Sequence, residues 1–479
     1  MTTELKQGLT FDDVLIEPRR SRVRSRKEVD TSSQFSRHIS LNIPIVSANM
    51  ETVTEAEMAI AVARHGGLGV IHRFMTIEEE MEQVSRVKRS ENLVIENPYT
   101  ISPRRSLGEA RQLMENRGIT SLLVTTEDGS LAGILTHRDI LFLEEDSQLV
   151  SELMTPAAKL ITAPVGVTLE EAKQLFLKHK VEKFPIVDGK GRLLGLITIA
   201  DILKRTRYPL STKDAKGRLR VAAAVGVRGD YLDRADALAA SGVDALVVDV
   251  AHGHSDQAIG AAQQIRNKLG DIELVVGNVA TARAVRDLVE LDVDAIKVGI
   301  GPGSICVTRV VTGSGVPQFS AIQECAREAK KHGVPIIADG GIRSSGDLTK
   351  AIAAGAGSAM LGNMLAGTEE SPGVMVIRGG LRHKVCWGSA SFRAQWAGQR
   401  SSAQDPEEAA EVVPEGVEAV VPYKGLVSEV LQQLVGGLRS GISYAGGTNI
   451  KELQENASFI QITQAGLNES QTHDVELIK

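Results

Sequence analysis

The sequence predicts an α/β fold, a (β/α)8 TIM barrel with a second domain inserted in one of its loops. Three observations carry that reading. Eight short apolar runs, each bounded by Gly, Asn or Asp, recur along the 479 residues. Stretches with apolar residues at helical spacing lie between them and stop at glycine, a C-terminal helix signal. One gap in this rhythm is far too long for a helix and two loops, and it contains an internal repeat.

The runs, in order, are IPIVSA (43–48), GLGVIH (67–72), RVAAAVG (220–226), VDALVVD (243–249), IELVVGN (272–278), DAIKVGI (294–300), VPIIADG (334–340) and SAMLGN (358–363). Their near-continuous apolar character suits parallel strands buried on both faces. EAEMAIAVARHG (55–66), DYLDRADALAASG (230–242) and AIQECAREAKKHG (321–333) are helical connections. Eight βα alternations favour a closed barrel, with an open doubly wound sheet as the alternative, because counting alone does not show closure.

The long gap follows the second run. In it SLGEARQLM (106–114) matches TLEEAKQLF (168–176), and GILTHRDIL (133–141) matches GLITIADIL (195–203), both at an offset of 62 residues. Each copy reads helix, strand, strand, helix. The division expected is barrel over 1–91, a duplicated domain over 92–204, and barrel again over 205–479, with a flap about 386–425 and a C-terminal segment.

Composition narrows the function classes. Hydrophobic residues make up 42% and charged residues 24%, ordinary for a soluble globular protein. The net charge is −6 and the basic residues read as scattered, so neither nucleic acid nor a membrane is an expected partner. No signal peptide and no apolar run of bilayer length is visible. Three cysteines (Cys306, Cys325, Cys386) are too few and too spread for a disulfide framework. The cytoplasm is the expected location, a reducing setting that keeps a thiol usable.

In a barrel the chemistry gathers at the C-terminal strand ends. Asn49-Met50 follow the first run, and the fourth ends in Asp249 with AHGH behind it. GNVAT (277–281) ends the fifth, and GPGSICVTR (301–309) follows the sixth. DGGIR (339–343) and GNMLAGTEESPG (362–373) close the last two. The glycines after the seventh and eighth runs sit where barrels hold phosphate on backbone N–H groups, which predicts a phosphorylated substrate. Asp339 is placed to accept hydrogen bonds from a ribose. Cys306 is either a small apolar filler or a nucleophile facing the ligand, and its glycine-rich loop on the phosphate face favours the nucleophile. Cys325 reads as helix packing, and Cys386 has no assigned role.

GPGSICVTR, ADGGIR, GNVAT and LAGTEESPG resemble the IMP dehydrogenase and GMP reductase family. TFDDVL (10–15), VPEGVEAVVPYKG (413–425) and GGLRSGISYAGG (436–447) agree, so the resemblance covers nearly the whole chain. It implies a homo-tetramer or octamer that binds GMP or IMP, a nicotinamide cofactor (NADPH, or NAD in a dehydrogenase) and a potassium ion. Cys306 would attack C2 of the purine, with Thr308 and Glu415 relaying a proton. Asn49, Ser304, Asp339, Gly340, Gly341, Gly362, Asn363, Trp387 and Gly388 would hold the substrate, and Asp249, Ala251 and His252 the cofactor. Gly301, Gly303 and Cys306, with Glu469 and Ser470 in NESQTHD (468–474), would hold potassium. The duplicated domain resembles a tandem CBS (Bateman) module, which implies ATP or GTP at Thr136, Asp139, Thr198 and Asp201. Alternatively, Thr198 and Asp201 only cap a helix.

Within the family the departures favour a reductase. The dehydrogenases activate water with an Arg-Tyr pair on the flap, and hydrolysis needs such a base. The corresponding stretch, GQRSSAQDPEEAAEVV (398–413), offers Arg400-Ser401 or Ser401-Ser402 and no tyrosine. SANMET (47–52) and CWGSAS (386–391) also align better with reductases, whereas the Bateman module, the flap length, VPEGVE and NESQTHD are more typical of dehydrogenases. Asn363 stands where the family often has Ser. Lys384, where a phosphate-binding Tyr would fall, is expected to supply a charge instead. The rivals are a dehydrogenase with an altered flap, an inactive nucleotide sensor and, more remotely, a flavin enzyme.

Overall fold

The computed structural model describes residues 5–91, 94–95, 98–391 and 413–472, apart from the side chains of Leu169, Asp201, Lys204, Arg205 and Thr206. Two compact units form: Met1–Ser90 with Leu210–Lys479, and Glu91–Pro209.

In the larger unit all eight predicted runs become strands: β1 (Ile45–Ser47), β2 (Leu68–Ile71), β3 (Val221–Val225), β4 (Ala245–Asp249), β5 (Glu273–Val279), β6 (Ala295–Val298), β7 (Ile336–Asp339) and β8 (Ser358–Leu361). They pair in parallel in chain order, and β8 returns to β1 through Ala359↔Ile45, so the sheet closes. Closure decides against the open sheet. Helices follow the predicted connections, over Ala56–Arg64, Tyr231–Ala240 and Gln318–Lys330.

Side-chain alternation divides the core in two. Val46, Leu68, Val70, Ala222, Ala224, Ala245, Val247, Val275, Ala295, Ile337 and Met360 fill the barrel, and Phe35, Ile39 and Leu41 pack with them from the hairpin Ser33–Gln34/Ser40–Leu41. The other strand face packs on the helices, as with Val221, Ala223 and Val225 on β3. Period two along each strand produces that division.

The smaller unit shows the duplication in its register. Strands Ser121–Thr125 and Leu131–Thr136 pair antiparallel with Ser121 opposite Thr136. Lys183–Val187 and Leu193–Thr198 pair with Lys183 opposite Thr198, the same register one repeat later. Helices Leu107–Arg117 and Leu169–His179 each open with a capping box, from Ser106 and Glu109 and from Thr168 and Glu171. No helix among the described residues is long and apolar enough to cross a membrane.

Candidate active site

Alternation also positions the charged centre of the barrel. Ala245 and Val247 on β4, Ala295 on β6 and Ile337 on β7 point inward, so Asp249, Lys297 and Asp339 two positions on enter the barrel at its C-terminal mouth. Lys297 Nζ lies 2.7 Å from Asp249 Oδ1 and 2.8 Å from Asp339 Oδ2. Asn278 Nδ2 donates to the same Asp339 oxygen at 2.9 Å, and Lys297 donates to Asn278 Oδ1. Gly277 makes the room: a Cβ there would stand 2.5 Å from Lys297 Cβ.

Burial works against the charged form of Lys297, yet Asp249 and Asp339 together raise its pKa above an ordinary lysine's. Burial would likewise raise the Asp249 carboxyl, but Lys297, aided by Arg73 and a hydrogen bond from Asn49, holds it below the usual carboxylate range. Both groups therefore stay ionised at neutral pH. Lys297, Asn278 and Arg73 were missed in the sequence. The available signal was a lysine inside the apolar run DAIKVGI, because a charge on a strand buried on both faces needs partners.

Cys306 lies half-buried in the loop after β6. Its Sγ is 3.1 Å from Thr308 Oγ1, and that hydroxyl donates to Glu415 Oε2 at 2.7 Å. Two backbone bonds fasten the loop to the segment after the flap, Val307 N–H to Glu415 C=O at 2.8 Å and Val417 N–H to Ile305 C=O at 3.0 Å. A third clamp is Arg309, whose Nε donates to Ile300 C=O at 3.1 Å and whose guanidinium also bonds Val316 C=O. Gly301, at φ +79°, lies against the Arg309 stem, where a Cβ would come within 2.4 Å of Cγ.

The other two cysteines differ. Burial pushes the Cys325 thiol up to about 12. Cys386 is buried and accepts a 3.6 Å hydrogen bond from Thr52, and burial raises its thiol too.

Of the expected substrate groups, Gly340, Gly341 and Gly388 lie against the Cys306 loop. Gly340 and Gly341 have φ +90° and +79°, and a Cβ on Gly340 would meet Pro302 and the Gly303 backbone, so the phosphate-type turn after β7 packs directly on the cysteine loop. Gly362 follows β8 and Asn363 opens the short helix Asn363–Ala366. A Cβ on Gly388 would lie 3.6 Å from Ile305, beside Cys306. Asn49 is buried, and Ser304, Ala251 and His252 are exposed.

One expectation moves. Lys384 Nζ donates to Glu369 C=O and Ser371 C=O at 3.0 and 2.6 Å. That corrects its assignment as a phosphate charge: a buried ammonium takes the nearest carbonyls. Trp387 is buried against Phe74 and its indole N–H donates to Glu51 at 2.8 Å. Glu469 and Ser470 lie at the end of helix Gln464–Glu469, and Ser470's hydrogen bonds stay within it. In the smaller unit the Asp139 carboxylate accepts from the Thr136 N–H and hydroxyl at 2.8 and 2.7 Å, a helix cap. The side chain of Asp201 and the flap residues Arg400, Ser401 and Ser402 lie outside the described residues.

Comparison with known proteins accounts for this geometry. A family profile described as IMP dehydrogenase / GMP reductase domain matches residues 8–473. An inosine-5'-monophosphate dehydrogenase from Nitrosopumilus maritimus is 51% identical over 99% of this chain and 100% of that protein. One from Bacillus subtilis is 50% identical over 99% and 97%. Among solved structures, a GMP reductase of Trypanosoma brucei in complex with guanosine 5'-monophosphate has TM-score 0.93 and 44% identity, covering 98% of this chain and 99% of that one. The Trypanosoma brucei enzyme in complex with guanosine 5'-triphosphate gives TM-score 0.81 and 41% identity, covering 96% and 98%.

Proposed function

This chain belongs to the IMP dehydrogenase / GMP reductase family, and we propose that within it the protein reduces GMP to IMP and ammonia. One contrast carries the reading. The chain holds a joined proton path, Cys306–Thr308–Glu415, but none of its five tyrosines (Tyr99, Tyr208, Tyr231, Tyr423, Tyr444) falls in the flap stretch 398–413 where the family's Arg-Tyr pair would stand. Expelling an amine from C2 needs a proton, which the path supplies. Hydrolysing the resulting intermediate needs a base on water, and the family's pair for that task is incomplete.

In the proposed sequence the GMP phosphate rests on the turns at Gly340, Gly341 and Gly362, Asn363 and Ser304, with its ribose on Asp339. Asn49, Trp387 and Gly388 line the base. The Cys306 thiolate forms a bond to C2. Thr308 passes a proton from Glu415 to the amine, the C2–N bond breaks, and ammonia leaves a thioimidate on sulfur. Bound NADPH supplies a hydride to C2. The C–S bond then breaks, IMP leaves, and the thiolate is regenerated. Asp249, kept ionised by Lys297, suits a cofactor ribose diol, and Ala251 and His252 lie exposed beside it. The carbonyls of Gly301, Gly303 and Cys306 are hard oxygen donors that suit potassium. Glu469 and Ser470 would complete such a site from another copy, in keeping with a homo-tetramer or octamer. The unit 91–209 acts as a Bateman module taking ATP or GTP at Thr136, Asp139, Thr198 and Asp201, and a cytoplasmic location accords with this chemistry.

The identity of about half the chain to inosine-5'-monophosphate dehydrogenases favours the second reading, IMP to XMP with NAD. Two absorbance assays with potassium separate them. NADPH consumption with GMP and none of NAD with IMP is the expected result, and the reverse would refute the proposal. Silence in both with GMP still bound would mean a nucleotide sensor. Cys306→Ala is expected to bind GMP and not turn over, and turnover in that variant would remove the covalent step.

A further inference from the structure

The turn after β8 is held by the chain that returns from the flap. Gly362 and the short helix Asn363–Ala366 follow the strand, and residues 422–427 run alongside them. Lys424 N–H donates to Gly367 C=O and Glu369 N–H to Gly425 C=O, both at 2.8 Å. A Cβ on Gly367 would collide with Pro422 C=O, so the two backbones are in direct contact. Val427 N–H adds a 2.8 Å bond to Glu370 Oε2. A few residues earlier the same returning chain fastens the cysteine loop, through Glu415 and Val417.

Lys424 stands at the centre of this contact. Its ammonium donates to Asn363 C=O and Met364 C=O, at 3.1 Å each. Those carbonyls need an outside donor because the helix is one turn long. The N–H groups of Gly367 and Thr368, which a longer helix would return to them, go to Leu365 C=O instead. A neutral donor would satisfy them at less cost than a half-buried ammonium. Burial lowers the Lys424 pKa, and no carboxylate among the described residues pairs with it to offset that. Lys384, on the adjoining strand Leu381–Trp387, differs: it grips Glu369 C=O and Ser371 C=O, and the Glu369 and Glu370 carboxylates support its charge.

We propose that Lys424 is a positioning residue for the substrate phosphate, an inference that rests on placing that phosphate at Gly362 and Asn363. The N–H and C=O of a trans peptide point opposite ways, so the grip on Asn363 C=O also fixes the direction of Met364 N–H, a backbone donor of this turn. The phosphate in turn supplies the negative charge that Lys424 lacks. A nucleoside, having no phosphate, gains from neither effect.

The test is protection of Cys306 from iodoacetamide in the full chain, read by peptide mass spectrometry, which reports this site whichever reaction follows. GMP is expected to half-protect the parent at a lower concentration than guanosine does. Lys424→Met, checked for folding by circular dichroism and melting, should raise the half-protecting GMP concentration at least about tenfold and leave that of guanosine within about threefold. Lys424→Gln keeps a donor and drops the charge, and carries the test should the methionine variant fail to fold. It should weaken GMP by at least about threefold. Lys384→Met loosens the same stretch at other carbonyls and should keep the parent's ratio between the two ligands. Equal protection of the parent by GMP and guanosine would refute the phosphate placement itself. With a parent that prefers GMP, a folded Lys424 variant with the parent's ratio, or one that loses both ligands equally, would overturn the positioning role alone. So would the same change of ratio in Lys384→Met, which would assign the effect to general loosening.

Discussion

Thr308→Val removes one hydroxyl from the proton path and leaves the loop fastened. Valine keeps the branched shape, and the backbone bonds from Val307 to Glu415 and from Val417 to Ile305 do not involve the lost oxygen. What disappears is the 3.1 Å approach to Cys306 Sγ and the 2.7 Å bond to Glu415. Glu415 is half-buried, so water can take the vacated position, and the stability cost should stay near the low end of the usual range, about 1 kcal/mol. The kinetic cost should be larger. Loss of a positioned proton donor typically slows a step about 10²–10⁴-fold, equal to roughly 2.7–5.4 kcal/mol of barrier. Single-turnover loss of the amine from GMP should fall by that factor, with GMP affinity within about threefold of the parent. Thr308→Ser, which keeps the hydroxyl, should recover most of the rate. A valine variant within threefold of the parent rate, or a serine variant as slow as valine, would show that this hydroxyl carries no proton.

Other outcomes test the charged centre and the cysteines. Lys297→Met strands two carboxylates and should cost about 3–5 kcal/mol, read as a lower melting temperature that Asp249→Asn in the same chain partly restores. In the parent, Asp249 titrates below its unfolded value, so its contribution is present above about pH 4 and is lost on acidification. Without Lys297 burial dominates and its folded pKa rises, so the variant should lose stability as pH rises from 5 to 8. A variant whose melting temperature is flat over that range would contradict the assignment. Gly277→Ala, whose Cβ would press on Lys297 at 2.5 Å, should destabilise by about 1–3 kcal/mol, measured by denaturant melting. Iodoacetamide at pH 7.5 should label only Cys306 in the folded chain, because the buried Cys325 thiol titrates near 12. Mass spectrometry of the peptides decides it, and labelling of Cys325 in native protein would sink the distinction.

The barrel was readable because each of its strands is buried on both faces, which leaves an apolar run that little else in a chain produces. VDALVVD and DAIKVGI end or continue in the residues that matter, yet only Asp249 was singled out. Lys297 escaped notice because its role depends on β4, β6 and β7 standing side by side, and that adjacency exists only once the barrel closes. Thr308 and Glu415 lie 107 residues apart, and no local pattern joins them; the family resemblance did. Lys384 went wrong for the converse reason: a lysine was placed by alignment, while its environment, two carbonyls within reach and little water, decided where the ammonium went.

The same reasoning separates what the scaffold fixes from what it leaves open. Asp249 and Asp339 sit on strands three apart in the barrel, and one ammonium between them pairs with both carboxylates and keeps them inward-facing. If Asp339 meets the nucleotide ribose and Asp249 the cofactor ribose, Lys297 fixes the distance between the two ligands before either binds. Its removal should therefore weaken both ligands together, whichever family reaction the chain performs. The choice of reaction lies elsewhere, in whether a group on the flap can take a proton from water before the hydride arrives. A centre that suits both chemistries, joined to a flap stretch (398–413) without a tyrosine, is the arrangement that a deaminating reductase needs and that a hydrolytic enzyme would have to supplement.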